Sequence, residues 1–408
     1  CRVTDGESQR LIVCGAKNMK PGDKVALALP GSVIAGGRRI EKAKIRGIVS
    51  EGMLCSEEEL GLSARSEGIL ILPDDAPVGV DINAYLGLDD YVFEVNITPN
   101  RPDCMSIIGI SREISALTGL PLRLPSIEVC ETNERIENYV KVTIEDKELC
   151  PRYAARIIKG VKVGPSPFWI RSRIERCGMR SINNVVDITN YVLLEMGHPL
   201  HAFDYDLIEG REIVVRRARA GEKIVTLDGV LRDLDTEMLM ICDTQKPVAI
   251  GGIMGGSNTE VSLDTKNILL ESAYFDPVCI RRTSKKLGLR TEASQRFERG
   301  ADPLNVINAI NRASQLIAEI CGGEILNGIV DVYPLEIKSQ EVTIRIKRAC
   351  MILGMDISKG EIKNILQRLG MEIRDESEDT IKVMPPSYRR DISIEEDLIE
   401  EILSLIHI

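Results

Sequence analysis

Short apolar runs broken by turn residues fill the first fifth of the chain. RLIVCG, KVALALP and GILILP are separated by Pro-Gly, Gly-Gly and Asp-Asp pairs. This rhythm of short strands with little helix predicts a small β-barrel over residues 1–86. The pattern then changes. Residues 87–145 hold YVFEVNITPNRPDC and a helix near 104–118, started by Pro102 and Asp103 and stopped by Gly119. Residues 146–337 mix both periods. Ser166 and Pro167 open a helix with Ile170, Ile174 and Cys177 on one face, ended at Gly178. REIVVRRAR, KPVAIGGIMGG and KNILLESAYF read as strands, and Val306, Ile307, Ile310, Ile317 and Ile320 mark a helix over 303–321. In residues 338–408, Ser358 and Glu361 form a capping box before the stripe Ile362, Ile365, Leu366 and Leu369. A strand, TIKVMPP, follows, and Ser393 with Glu396 caps a helix starting near 394. The fold class is therefore α+β and multidomain.

Length and charge refine this picture. A chain of 408 residues holds two to four domains, and 44% hydrophobic residues rule out a mostly disordered one. There is neither a membrane span nor a secretory leader in the pattern. The chain opens at Cys1 and stops just after a strong helical pattern, so a piece of something longer is expected. The net charge of −10 argues against a wholly basic nucleic-acid binder. Residues 1–48 nevertheless carry ten Lys/Arg against four Asp/Glu, a local +6 that leaves −16 for the remainder. That asymmetry fits one polyanion-facing module, or simply excess surface charge. The eleven cysteines lie 13 or more positions apart without a CxxC pair, which predicts buried, reduced thiols in a cytosolic protein rather than a zinc site.

Three places carry candidate chemistry. DITNYVLLEMGHPLHAFD holds two of the three histidines, of which His201 reads as either a structural or a site residue. GGIMGG at 251–256 allows close backbone approach, as a ligand loop or a tight turn, but has neither a Walker lysine nor GxGxxG spacing. Glu271 sits inside the apolar run NILLESAYF, where it either faces water at a strand edge or meets a polar group in a pocket. Near the end, Asp397, Glu400 and Glu401 stand at i, i+3 and i+4, with Asp391 just before the cap. Three like charges on one face repel. A hard cation such as Mg²⁺ would relieve them, as would a basic partner, and a solvated acidic face is the plain alternative.

The order of long motifs resembles the β subunit of bacterial phenylalanyl-tRNA synthetases. They are IVCGAKNMKPGDKVALALPGSVI with KIRGIVSEGMLCSEEELGL, EVNITPNRPDCMSIIGISREISALTG, SINNVVDITNYVLLEMGHPLHAFD, LLESAYFDP, LRTEASQRFERGADP and PPSYRRDISIEEDLIEEI. The resemblance covers essentially the whole chain and departs in completeness: the first barrel strand and the C-terminal half of such a subunit are expected to be missing. It implies an OB-type tRNA-binding domain at 1–86, a core segment at 87–145, an α+β editing domain at 146–337 and a small helix-rich α+β domain at 338–408. Lys17, Lys20, Lys42, Lys44 and Arg46 become candidate tRNA contacts. In the editing pocket, which would hydrolyse tyrosyl-tRNA(Phe) formed in error, Glu271 would recognise the tyrosine hydroxyl, with Gly255, Thr291 and Ala293 binding the substrate. His201, Thr189 and Asn190 would serve catalysis, with His201 and the Gly255 backbone orienting the terminal adenosine and the water. Asp391, Asp397, Glu400 and Glu401 match the family's Mg²⁺ pattern. The implied setting is cytoplasmic charging of tRNA(Phe) with ATP, in a tetramer of two α and two β subunits whose synthetic site lies on α. A non-catalytic tRNA-binding or scaffold protein with a dead editing pocket is the rival reading.

Overall fold

In the computed structural model, which describes residues 1–63 and 65–406, the apolar runs at 152–159 and 267–274 become adjacent antiparallel strands of a six-stranded sheet. His407 and Ile408, at the end of the last expected domain, lie outside the described residues. The sheet runs Leu200–Asp204, Asn267–Tyr274, Arg152–Lys159, Glu324–Asn327 and Glu131–Arg135, and Val330–Val332 also pairs with Arg152–Lys159. The two central strands are buried at nearly every position because both sheet faces are covered. Alternation sends their residues to different cores. Ala154, Ile158, Ile268 and Leu270 pack with residues of helices Phe168–Arg176, Asn184–Met196 and Asn305–Cys321. Tyr153, Ala155, Ile157, Leu269 and Ala273 share a core with a second sheet. That sheet runs Lys141–Ile144, Glu212–Arg217, Leu239–Cys242, Pro247–Ile250 and Met254–Gly255. The result is three layers, helix on sheet on sheet. Glu271 lies between Leu269 and Ala273 on the face between the sheets.

Caps set the helix boundaries. Asn183 accepts a hydrogen bond from Val186 N to start Asn184–Met196. Ser106 does the same for Ile107–Thr118, with Gly119 left-handed at its end. Pro102 and Asp103, expected to open that helix, form a separate 3₁₀ turn, Pro102–Cys104. The last part of the chain is a three-stranded antiparallel sheet, Val342–Arg345, Thr380–Met384 and Glu372–Glu376 in order, covered by helices Ile346–Leu353, Lys359–Arg368 and Glu395–Ile406. Ser358 caps its helix as expected. The final helix differs. Asp397, not Ser393 with Glu396, accepts the Ser393 and Ile394 amides, because Glu396 is drawn away to Arg348.

The chain divides into two units, Cys1–Phe93 and Glu94–Ile408. Within the first, the expected OB-type barrel does not close among the described residues. Strands of two or three residues pair as four separate ladders. Such short strands, punctuated by glycine turns, run out before they can bond a neighbour on each side. One ladder is the hairpin Ala43–Ile45 with Ile48–Ser50, turned at Arg46 (φ 50°) and Gly47 (φ 86°). Positive φ at both central positions is the type I′ geometry that suits the strand twist. All eleven cysteines are free, but only Cys55, Cys104, Cys150, Cys242, Cys279 and Cys321 are buried; Cys1, Cys130 and Cys177 are exposed, contrary to expectation. No helix among the described residues is long and apolar enough to cross a membrane.

Candidate functional site

Register brings the central site together. Glu271 pairs across one side with His201 and across the other with Ala155. Tyr153 stands opposite Ala273, which makes it a diagonal neighbour of Glu271 on the same sheet face, within reach for a long side chain. Its hydroxyl donates to Glu271 Oε2 at 2.7 Å. Glu271 is only 7% exposed, and burial lifts its carboxyl to about 7 against the opposing pull of the Tyr153 donor. The strand-edge reading of Glu271 is thereby set aside. His201 stacks edge-on against Phe203 at 4.5 Å, and burial lowers its imidazole to about 4, so the ring is neutral at pH 7. Gly255 abuts that ring. A Cβ added there would lie 2.5 Å from His201 Cε1, so only glycine permits the approach.

Other expected residues lie at increasing remove. Thr291 caps helix Glu292–Phe297 by accepting from Ser294 N, and its hydroxyl donates to Ile253 O at 2.9 Å, tying the cap to the glycine-rich loop. Ala293 packs beside the core between the sheets. Thr189 and Asn190 belong to the helical layer. Their helix presents Val185, Ile188 and Val192 to the core on the opposite side of the sheet, and the Thr189 hydroxyl bonds back to Val186 O. The structure thus gathers Glu271, His201 and Gly255, links Thr291 to them through Ile253, and leaves Thr189 and Asn190 in another layer.

The basic candidates of the first unit, Lys17, Lys20, Lys42, Lys44 and Arg46, are all exposed. Lys42 pairs with Glu51 at 3.2 Å. Lys44 and Arg46 project from the 43–50 hairpin beside exposed Ile45, Ile48 and Val49.

The acidic candidates do not form a cation cage. The Arg389 side chain, 1% exposed, pairs with Asp391 at 2.9 Å and with Glu401 at 2.6 Å. Asp397 is spent on backbone amides, and Glu400 is exposed. A guanidinium therefore fills the place between two of the four carboxylates, and seating Mg²⁺ there would mean expelling a buried cation. Among the described residues, the one group of three ligating side chains within a single coordination distance is Asp103, Cys104 and Glu113, and Arg101 already spans it.

Family models match three stretches of the chain: a putative tRNA binding domain over residues 1–81, a B3/4 domain over 149–322 and a tRNA synthetase B5 domain over 342–406. The "Phenylalanine--tRNA ligase beta subunit" of Geobacter metallireducens is 52% identical over 405 residues, which is 99% of this chain and 51% of that protein. The protein of the same name from Syntrophus aciditrophicus is 51% identical over 405 residues, 98% and 50% of the two chains. The chain belongs to the phenylalanine–tRNA ligase β-subunit family. It spans about half the length of the curated relatives it matches. A solved N-terminal fragment of the phenylalanyl-tRNA synthetase β-subunit from Pyrococcus horikoshii aligns at 18% identity and a TM-score of 0.40, over 76% of this chain and 85% of that one, too loosely to carry an argument.

Set against these matches, the B3/4 stretch of this β-subunit relative encloses Glu271, His201, Gly255, Thr291, Ala293, Thr189 and Asn190, and the B5 stretch encloses the four acidic residues. Sequence reasoning missed two residues that define these places. Tyr153 lies 118 positions from the carboxylate it bonds, within the apolar run RYAARIIK, and only strand register reveals it. Arg389 stands two positions before Asp391, a spacing that could have signalled an ion pair.

Proposed function

We propose that this chain provides the tRNA-binding and proofreading part of a phenylalanine–tRNA ligase, hydrolysing tyrosyl-tRNA(Phe) formed in error. The observation that carries this reading is a carboxylate, Glu271, set between two sheets at 7% exposure, whose one side-chain hydrogen bond among the described residues is the Tyr153 donation to Oε2. A buried acceptor with an open valence suits a ligand hydroxyl and penalises a ligand lacking one. A synthetic pocket shaped for phenylalanine rejects the added hydroxyl of tyrosine only weakly, so selection has to come from a second site built around the hydroxyl.

In that site Glu271 accepts the tyrosine hydroxyl. His201, neutral and held by Gly255 and Phe203, orients the terminal nucleotide and the water. Water attacks the ester carbonyl, the bond to the ribose oxygen breaks, tyrosine leaves, and the tRNA keeps its hydroxyl. The depressed basicity of His201 favours a positioned water aided by substrate hydroxyls over a histidine general base. Thr291 and Ala293 shape the pocket wall, and Thr189 and Asn190 would join only through the acceptor end. The exposed basic residues of the first unit, Lys44 and Arg46 foremost, supply phosphate contacts. The partner α subunit carries the ATP-dependent synthesis, in a cytoplasmic assembly of two α and two β chains. Any Mg²⁺ of that assembly near Asp391, Asp397, Glu400 and Glu401 would compete with Arg389 for Asp391 and Glu401.

Glu271→Ala tests the reading. Discrimination between tyrosyl- and phenylalanyl-tRNA should fall by about tenfold or more, the worth of a hydrogen bond to a charged group, while circular dichroism stays unchanged. Equal discrimination by variant and wild type would refute the hydroxyl role.

A further inference from the structure

We propose that Tyr153 is a positioning residue that sets the specificity of this site, by fixing the Glu271 carboxylate so that Oε1 alone is presented to the substrate hydroxyl. The proposal rests on the proofreading reading above and deepens it. Tyr153 is completely buried, and among the described residues its hydroxyl makes one hydrogen bond, the 2.7 Å donation to Glu271 Oε2. With the Glu271 carboxylate as its hydrogen-bond partner, the phenol has its orientation decided: the hydrogen points at the carboxylate. The ring cannot turn away, because Tyr153 belongs to the core between the sheets together with Ala155, Phe203 and Ala273. The carboxylate is thus pinned at one oxygen by a tyrosine of the protein. Its other oxygen, Oε1, is the carboxylate acceptor left for a tyrosine of the substrate.

This arrangement also decides the charge. The titratable groups facing Glu271 are Tyr153 and Cys150 of the neighbouring strand and its approach, and His201 across the other side. Burial raises Cys150 and Tyr153 far above neutrality and lowers His201 below it, so all three stay neutral between pH 6 and 9. Within this group only Glu271 changes charge in that range. An ionised carboxylate makes the stronger, charge-assisted bond to a phenol, so tyrosine selectivity should follow Glu271 ionisation. The Tyr153 hydrogen bond favours the ionised form.

The experiment uses the assembled enzyme and measures release of tyrosine from tyrosyl-tRNA and of phenylalanine from phenylalanyl-tRNA between pH 6 and 9. Wild type should gain selectivity with a midpoint near neutrality. In Tyr153→Phe the midpoint should rise by about one pH unit, so that selectivity at pH 7 falls severalfold to tenfold and returns at pH 9. Difluorotyrosine at position 153, a stronger donor of nearly the same size, should move the midpoint the other way. It keeps the test open if the phenylalanine variant folds poorly. Glu271→Gln should show weak selectivity without a pH dependence. Superimposable wild-type, Tyr153→Phe and difluorotyrosine profiles overturn the proposal, as does a loss in Tyr153→Phe that is equal at every pH. Wild type that releases both amino acids equally overturns the proofreading reading itself, and the proposal with it.

Discussion

Glutamine at position 271 keeps the shape of the buried carboxyl and removes its charge, which turns the account of Glu271 into a measurable stability difference. In the folded protein burial holds this carboxyl at about 7 instead of the usual 4.5. A tenfold change in proton affinity is worth about 1.4 kcal/mol, so carrying the charge above pH 7 costs the folded state on the order of 3 kcal/mol. The direction follows from linkage. The folded protein binds this proton more tightly than the unfolded chain, so the associated stability is fully present below pH 4.5 and is lost as pH rises through 7. Glu271→Gln lacks that loss. It should match wild type within about 1 kcal/mol at pH 4.5 and exceed it by about 2–3 kcal/mol at pH 8, after allowing for the weaker bond to Tyr153. Urea denaturation of both proteins at the two pH values measures this directly. A difference that stays constant from pH 4.5 to 8 would refute the claim that the carboxylate is held charged in a desolvated place.

Two further outcomes test other parts of the molecule. Arg389→Met leaves Asp391 and Glu401 without their shared cation and should cost about 3–5 kcal/mol, read as a lowered Tm; a loss below about 1 kcal/mol would mean that the ion triad is solvated. Charge reversal of Lys44 with Arg46 should weaken tRNA binding and flatten its salt dependence by about two in the log–log slope, whereas reversal of Lys42, already paired with Glu51, should do less; equal effects from the two would place the RNA elsewhere.

Much of the fold was legible because local rules decided it. Ser358 caps its helix with a short side-chain oxygen and Gly119 ends another with left-handed backbone, as expected, whereas the caps Ser106 and Asn183 emerged only in the structure. The central strand Asn267–Tyr274 announced itself as an apolar run too long to alternate, as a strand covered on both faces must be, whereas its neighbour Arg152–Lys159 did not. What stayed hidden depended on distant partners. No local feature of RYAARIIK says that its tyrosine meets a glutamate 118 residues on. The clustered charges near the final helix suggested a cation, and Arg389, which pairs with Asp391 and Glu401, was not anticipated. The expected barrel failed for a similar reason, since strands of two or three residues carry too little pattern to show which edges meet. Histidine was the least readable residue. His198, to which the sequence pattern assigned no role, is completely buried against the edge of Phe297.

The central claim is that this chain carries a working second sieve. Hydrolysis of tyrosyl-tRNA(Phe) and phenylalanyl-tRNA(Phe) by the purified chain, with and without added α subunit and with Glu271→Ala alongside, tests it most directly. Wild type should release tyrosine faster than phenylalanine, with that preference reduced by about tenfold or more in the variant. Release of neither amino acid with the α subunit present and tRNA bound would contradict it, and would make the chain a binding scaffold with a dead pocket.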